Sequence, residues 1–174
     1  MMSNKSYLCA LAAILFLYAA IPTYGDEKVR KGFTFGQPQQ GQSSDSGTVL
    51  LTCGLSKDGS QNICNPYTGD TPCEDSRPLL CFIDINVPAP AYLPDPQYWS
   101  GGLVAVTDDI RGDKFSKVTE ANAYCAQNFG KDWRVASFHD GGGWALRAYG
   151  SVGNEARRVW VDIKDQPSGT CWAR

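Results

Sequence analysis

The stretch WRVASFHDGGGWALRAYG, residues 133–150, decides which fold the sequence predicts. Residues 134–137 form a short apolar run typical of a strand, and three glycines then give the chain the conformational freedom of a turn. Asp140 is a candidate N-cap, and Gly150 is a common helix stop. Between them, residues at helical spacing predict the inward face of a second short helix: Trp144, Ala145, Ala148 and Tyr149.

A first helix is predicted just upstream, over residues 119–130. Thr119 is a favourable N-cap residue, and Gly130 is a typical C-terminal stop. An apolar stripe runs along one face at steps near four, formed by Val118, Ala121, Cys125 and Phe129. Because Cys125 belongs to this stripe, we expect its sulfur to point into the core.

Short apolar and β-branched runs predict the strands, at residues 48–53, 79–87, 101–107, 157–163 and 170–174. Together with the two helices they predict an α+β fold with a small antiparallel sheet. A disulfide-rich, mostly irregular segment is expected to precede it, since the region between the first two strands is dense in turn residues.

The beginning of the chain predicts export. Lys5 precedes an apolar run over residues 7–21, and the small-residue pattern of residues 23–25 follows, which is typical of a secretory signal peptide over residues 1–25. The run is shorter than the roughly 20 residues of a membrane-spanning helix. We therefore expect a secreted or periplasmic protein whose mature chain does not insert into a membrane.

Composition predicts four further segments. A Gly-, Gln- and Ser-rich flexible leader is followed by a cysteine-rich subdomain, a proline-rich connector and the α+β domain. Their predicted limits are residues 26–47, 48–87, 88–98 and 99–174.

Seven cysteines are present, and Cys9 lies in the predicted signal peptide. The other six predict three disulfides in an oxidising compartment, and they are Cys53, Cys64, Cys73, Cys81, Cys125 and Cys171. Their spacing separates a cluster of four from a distant pair, which favours a Cys125–Cys171 bridge and leaves the pairing of the cluster open. Zinc is disfavoured because the sequence has no C-x₂-C pair, so no metal site is predicted.

The charge balance excludes some classes of partner. The chain has 16 Lys and Arg against 18 Asp and Glu, a net charge of −2, which gives no basic footprint for nucleic acid.

The glycine-rich turn does not predict a phosphate site, because the glycines at residues 141–143 lack the Lys-Ser/Thr ending of a P-loop. No cofactor is predicted.

Two groups of residues are candidates for function. His139, the single histidine, stands next to Asp140, and together they are the candidate catalytic pair. No G-x-S-x-G nucleophile motif accompanies them, and sequence neighbours tend to point apart. The candidate ligand-binding residues are aromatic, namely Trp144, Tyr149, Trp160 and Trp172.

The order of elements from about residue 99 to residue 174 resembles the C-type-lectin-like fold, including its compact Link-type relatives. The matching residues are Glu120, Ala121, Cys125, Gly130, Val135, Ala136, Val159, Trp160, Val161 and Cys171. The resemblance implies that Cys125 in the helix pairs with Cys171 near the end. The calcium-binding motifs of that family are absent, so calcium-dependent sugar binding is not implied. The chain is also similar to exported bacterial proteins with a W-R-V-A-x-F-H-D core.

From these observations we expect an exported, disulfide-stabilised, non-enzymatic module that binds a protein or glycan at the cell envelope without calcium. One alternative is a secreted hydrolase that uses His139 and Asp140. Another is a structural or assembly component of the envelope.

Overall fold

The computed structural model describes residues 29–37, 47–54, 62–93, 96–153 and 158–174. The predicted signal peptide, Cys9 and most of the predicted leader lie outside these ranges. Within them the chain forms one α-helix, α1 (Val118–Phe129), and nine strands. The strands are β1 (Lys31–Gly32), β2 (Thr34–Phe35), β3 (Thr48–Thr52), β4 (Thr71–Pro72), β5 (Ser76–Asp84), β6 (Trp99–Arg111), β7 (Arg134–Val135), β8 (Ala145–Gly150) and β9 (Val159–Trp160).

Six strands form a nearly closed mixed barrel in the order β2-β9-β5-β6-β8-β3. The β5–β9 and β6–β8 pairs are parallel, and the other neighbours are antiparallel. The two ends of this order meet where Gly36 and Thr52 exchange backbone hydrogen bonds of 2.8 Å each. Outside this order, the short strand β7 pairs with β5, and β1 pairs with β4 in a separate two-stranded sheet.

The strands sort their side chains between two cores because neighbouring residues of a strand point to opposite faces. On β5, Leu80 and Phe82 belong to the core inside the barrel, whereas Leu79 and Cys81 belong to a second core outside it. The outer core lies under α1, whose buried residues are Val118, Ala121 and Cys125.

The prediction of α1 is confirmed, although its N-terminus differs. Lys117, not Thr119, is the N-cap residue. The Glu120 carboxylate accepts hydrogen bonds from the backbone N–H groups of Ser116 and Lys117, at 2.8 and 3.3 Å, and these bonds lower its pKa. Gly130 ends the helix with φ of +123°, as predicted.

The predicted α+β fold with two helices is wrong, because the predicted second helix is strand β8. Leu146 and Ala148 are fully buried inside the barrel, while Arg147 and Tyr149 alternate with them on the outside. Gly150 pairs with Val104 of β6, and its φ is +122°. A Cβ atom there would lie 2.1 Å from the Val104 carbonyl oxygen, so the glycine permits the close strand approach that completes the barrel.

The predicted flexible leader is also wrong for residues 29–37. Phe33 and Phe35 are fully buried in the barrel, and β2 between β9 and β3 closes it.

The predicted division into a cysteine-rich subdomain and a separate α+β domain does not describe the sheet either. Strands β3 and β5 come from the first segment and pair with β8 and β6 of the second.

The disulfides are Cys53–Cys64, Cys73–Cys171 and Cys81–Cys125, so the predicted Cys125–Cys171 bridge is wrong. Cys125 does point into a core, as predicted. It faces Cys81 because α1 packs on the outer face of β5, and their Cα atoms are 5.6 Å apart. Cys171 lies at the other end of this core, where it meets Cys73.

Candidate functional site

The turn that leads from β7 to β8 is fixed by a carboxylate. Residues Phe138–Gly141 form a single 3-10 turn after Ser137. The Asp140 carboxylate accepts the backbone N–H of Ser137 at 2.7 Å and both terminal nitrogens of the Arg134 guanidinium at 2.8 Å. With 7% of its side chain exposed, Asp140 is a structural residue that stabilises the turn.

The predicted pairing of His139 with Asp140 is therefore not formed. The His139 side chain is 45% exposed, whereas that of Asp140 is buried against Arg134. Its Nε2 atom lies 3.6 Å from a carboxylate oxygen of Asp165, which is 60% exposed. The His139 ring also packs edge to face on Phe138, and neither Asp165 nor Phe138 is a serine, threonine or cysteine that the imidazole could activate.

Asp165 is a site residue that the sequence did not predict, because its position beside His139 depends on a strand pairing. Ser137 and Asp162 form an isolated parallel β-bridge. In it the Asp162 carbonyl accepts the Phe138 N–H at 2.8 Å, and the Ala136 carbonyl accepts the Asp162 N–H at 2.9 Å. The turn after this pairing places Asp165 beside His139.

The exposed rings share one buried support. The Phe138 ring is packed against Phe33 and Phe35 of the barrel core, with centroid distances of 5.3 and 6.2 Å. On its outer side it meets the His139 and Trp144 rings edge to face, at 5.2 and 5.6 Å. The core thus fixes the positions of both exposed rings.

Trp144 is the exposed member of the candidate aromatic residues, with 43% of its surface accessible. Its backbone is held by a hydrogen bond from the Cys53 N–H to the Trp144 carbonyl, 3.1 Å long. Gly142, two residues before Trp144, has φ of +85° and is exposed. We call His139, Trp144 and Asp165 the aromatic surface.

The other three candidates lie away from this surface. Trp160 and Trp172 are buried in the outer core, where their indole nitrogens donate to the carbonyl groups of Ile110 and Gly112 at 3.1 and 2.8 Å. Tyr149 is half-buried and packs edge to face on Trp99 at 5.0 Å. Both tryptophans are therefore core residues rather than ligand-binding ones.

The segment between β9 and Asp165 contains a buried carboxylate, that of Asp162. Burial raises the pKa of Asp162 above its ordinary value of 3.8, and the nearby Arg174 guanidinium opposes the shift. Arg174 donates to the Asp162 carboxylate at 3.0 Å and to the Ile163 carbonyl at 2.6 Å. These two bonds hold the Arg174 side chain against residues 162 and 163.

We expect Asp162→Asn to stabilise the protein near pH 7. A carboxyl whose folded pKa is raised binds its proton more tightly in the folded state, so stability falls as pH rises from the unfolded pKa through the folded one. The asparagine removes this loss and keeps the acceptor oxygen. Melting temperatures at pH 3.5 and 7 measure the stability difference between variant and wild type. The gain should be present at pH 7 and absent at pH 3.5.

Arg174→Ala should instead lower stability at pH 7. An equal change at both pH values in either variant would contradict a raised pKa for Asp162.

The described residues contain no group of three or more His, Cys, Asp or Glu side chains arranged to hold a metal ion. Among the helices of the same ranges, none is both long and apolar enough to cross a membrane. Three disulfides are compatible with a compartment outside the cytoplasm.

Comparison of the chain with protein-family models, with curated proteins and with solved structures gave no match. The resemblance to the C-type-lectin-like fold therefore gains no support from relatives, and the interpretation of the site depends on its geometry.

Proposed function

We propose that this protein is an exported, non-enzymatic binding module that recognises a protein or glycan of the cell envelope through the aromatic surface, without calcium. The observation that carries the proposal is an exposed tryptophan held in place from below. Trp144 is 43% exposed, yet its ring packs on the buried Phe138 and its backbone is bonded to Cys53. A rigid, exposed aromatic side chain gives contact area at a low entropic cost, which is typical of binding hot spots.

The surroundings of Trp144 favour binding over catalysis. His139 and Asp165 add a polar rim, and the carboxylate that a catalytic dyad would need from Asp140 is occupied by Arg134. The arrangement thus supports recognition by one apolar face with polar neighbours.

Binding of the purified, oxidised protein to envelope fragments of the producing organism tests the proposal. We expect Trp144→Ala to weaken binding by at least about tenfold, the loss typical of an exposed aromatic hot spot. Chelation of calcium with EDTA should leave binding unchanged. Tyr67→Ala is the matched control, since Tyr67 is 60% exposed and lies outside the aromatic surface. Equal binding by Trp144→Ala and wild type, with both folded, would refute the proposal.

A further inference from the structure

We infer that the ligand of the aromatic surface is a neutral glycan, with one sugar ring stacked on Trp144 and its hydroxyl groups bonded to Asp165 and His139. This inference rests on the proposed binding function and names its ligand class.

The stacking half of the site is an aromatic face on a rigid support. The edge of a sugar ring presents alternating hydroxyls, whereas its face presents C–H groups, which carry slight positive charge and are attracted to the negative face of an aromatic ring. The Trp144 ring is large, exposed and positioned by Phe138, so it does not have to be ordered when a ligand binds.

The polar half of the site matches hydroxyl groups. A carboxylate only accepts hydrogen bonds, while an imidazole offers one donor and one acceptor, and each sugar hydroxyl can do both. The His139 Nε2 atom lies 3.6 Å from an Asp165 carboxylate oxygen, and both side chains are exposed, so a ligand can reach them. The His139 and Trp144 rings contact the same Phe138 ring, which keeps the polar and apolar halves within reach of a single short oligosaccharide.

The size and composition of the aromatic surface disfavour a protein partner. A specific protein interface buries roughly 800 Å² on each side, with an apolar centre of several residues. Within the aromatic surface the apolar part is one indole ring, which shares the Phe138 ring with His139. Ile63 is 48% exposed and lies against Gly54, next to the Cys53 that bonds Trp144, so it adds one aliphatic side chain. Tyr67, Tyr92 and Ile85 belong to different loops or strand ends.

The charges also favour a neutral ligand. The acidic Asp165 stands next to the basic, exposed Lys164, so neither sign of charge dominates this surface. Because the two charges oppose each other, an anionic glycan gains no net electrostatic attraction from this pair.

An array of neutral oligosaccharides, with sialylated and sulfated oligosaccharides in separate positions, tests this inference on the intact oxidised protein. We expect binding to at least one neutral structure. For that oligosaccharide, titration calorimetry should show Trp144→Ala weakened by at least about tenfold. Trp144→Phe should recover part of the affinity, and Asp165→Asn should lower it several-fold because it loses a charged acceptor. Tyr67→Ala should bind as wild type does.

The failures of the two proposals are distinguishable. If no neutral oligosaccharide binds, or only anionic ones do, while Trp144→Ala still abolishes binding to envelope fragments, the glycan inference is overturned and the binding function stands. If Trp144→Ala changes neither measurement in a protein with wild-type melting temperature, both are overturned.

Discussion

Removing the Cys73–Cys171 disulfide is expected to cost the protein a large part of its stability. The bridge closes a loop with a sequence separation of 98 residues. In the chain-entropy model a loop of that size stabilises the folded state by about 4.7 kcal/mol, against a total of roughly 5–15 kcal/mol for a small domain. The Cys73→Ala/Cys171→Ala protein should therefore unfold at much lower denaturant concentration.

The location of the bridge adds to this effect. Cys171 packs directly over Gly32 of β1 and Gly112, where added Cβ atoms would lie 2.4 and 2.9 Å from its sulfur. Next to it, Trp172 is buried in the outer core and donates to the Gly112 carbonyl. Without the bridge, this C-terminal segment loses its covalent link to the sheet.

Guanidinium denaturation under oxidising conditions measures the loss, with Cys53→Ala/Cys64→Ala as the matched control. That bridge has a sequence separation of 11, for which the same model gives about 3 kcal/mol or less. Peptide mapping of the non-reduced protein should recover the 53–64, 73–171 and 81–125 pairs. A 125–171 peptide, or equal stability of the two double variants, would contradict the assigned pairing.

Arg158→Ala is expected to open the seam of the barrel. The Arg158 guanidinium donates to the Thr34 carbonyl of β2 at 2.6 Å and to the Cys53 carbonyl beyond β3 at 3.1 Å. Its nearest carboxylate is that of Asp70, 3.7 Å away, whose side chain is 7% exposed. Asp70 in turn accepts from the backbone N–H and the hydroxyl of Thr34.

The expected loss is large because the substitution leaves a buried carboxylate without its cation. Breaking one partner of a buried pair typically costs about 3–5 kcal/mol, and two backbone carbonyls lose their donor as well. The free energy of unfolding, obtained from guanidinium titration, measures the loss of stability in Arg158→Ala. Adding Asp70→Asn to Arg158→Ala should restore part of the loss, because the unpaired charge is removed.

The matched control is Arg111→Ala, which breaks an ion pair with Asp113 at the surface. Exposed pairs contribute little, so no measurable change is expected. Should Arg158→Ala unfold at the same denaturant concentration as Arg111→Ala, the guanidinium would not be what fixes the seam between β2 and β3.

Much of the local structure could be predicted from the sequence. Helix α1 has strong end signals and a buried stripe at the right spacing, and its existence, its end at Gly130 and the inward direction of Cys125 are all confirmed. Strands β3, β5 and β6 lie within or overlap their predicted runs. The segment at residues 170–174 is instead a bend, in which Ala173 bridges to Lys117.

The candidate site was predictable only in part. Trp144 and His139 were both singled out, and the structure brings them together on Phe138. Trp160 and Trp172 could not be separated from Trp144 by composition, because which face of a strand is covered depends on whether another element packs on it. Asp165 carries no local signal at all, since its approach to His139 depends on the pairing of residues 137 and 162.

The sequence by itself determined the elements whose signals are local: one capped helix, the apolar strands and six cysteines outside the predicted signal peptide. Tertiary structure alone decided the partners. Residues 145–150 are too few for their own propensity to choose between helix and strand, and burial of Leu146 and Ala148 between β6 and β3 selects the strand. The same barrel closure buries Phe33 and Phe35, and the packing of α1 on the outer face of β5 places Cys125 over Cys81. These choices depend on contacts between distant residues, whose free energy exists only once the sheet has formed.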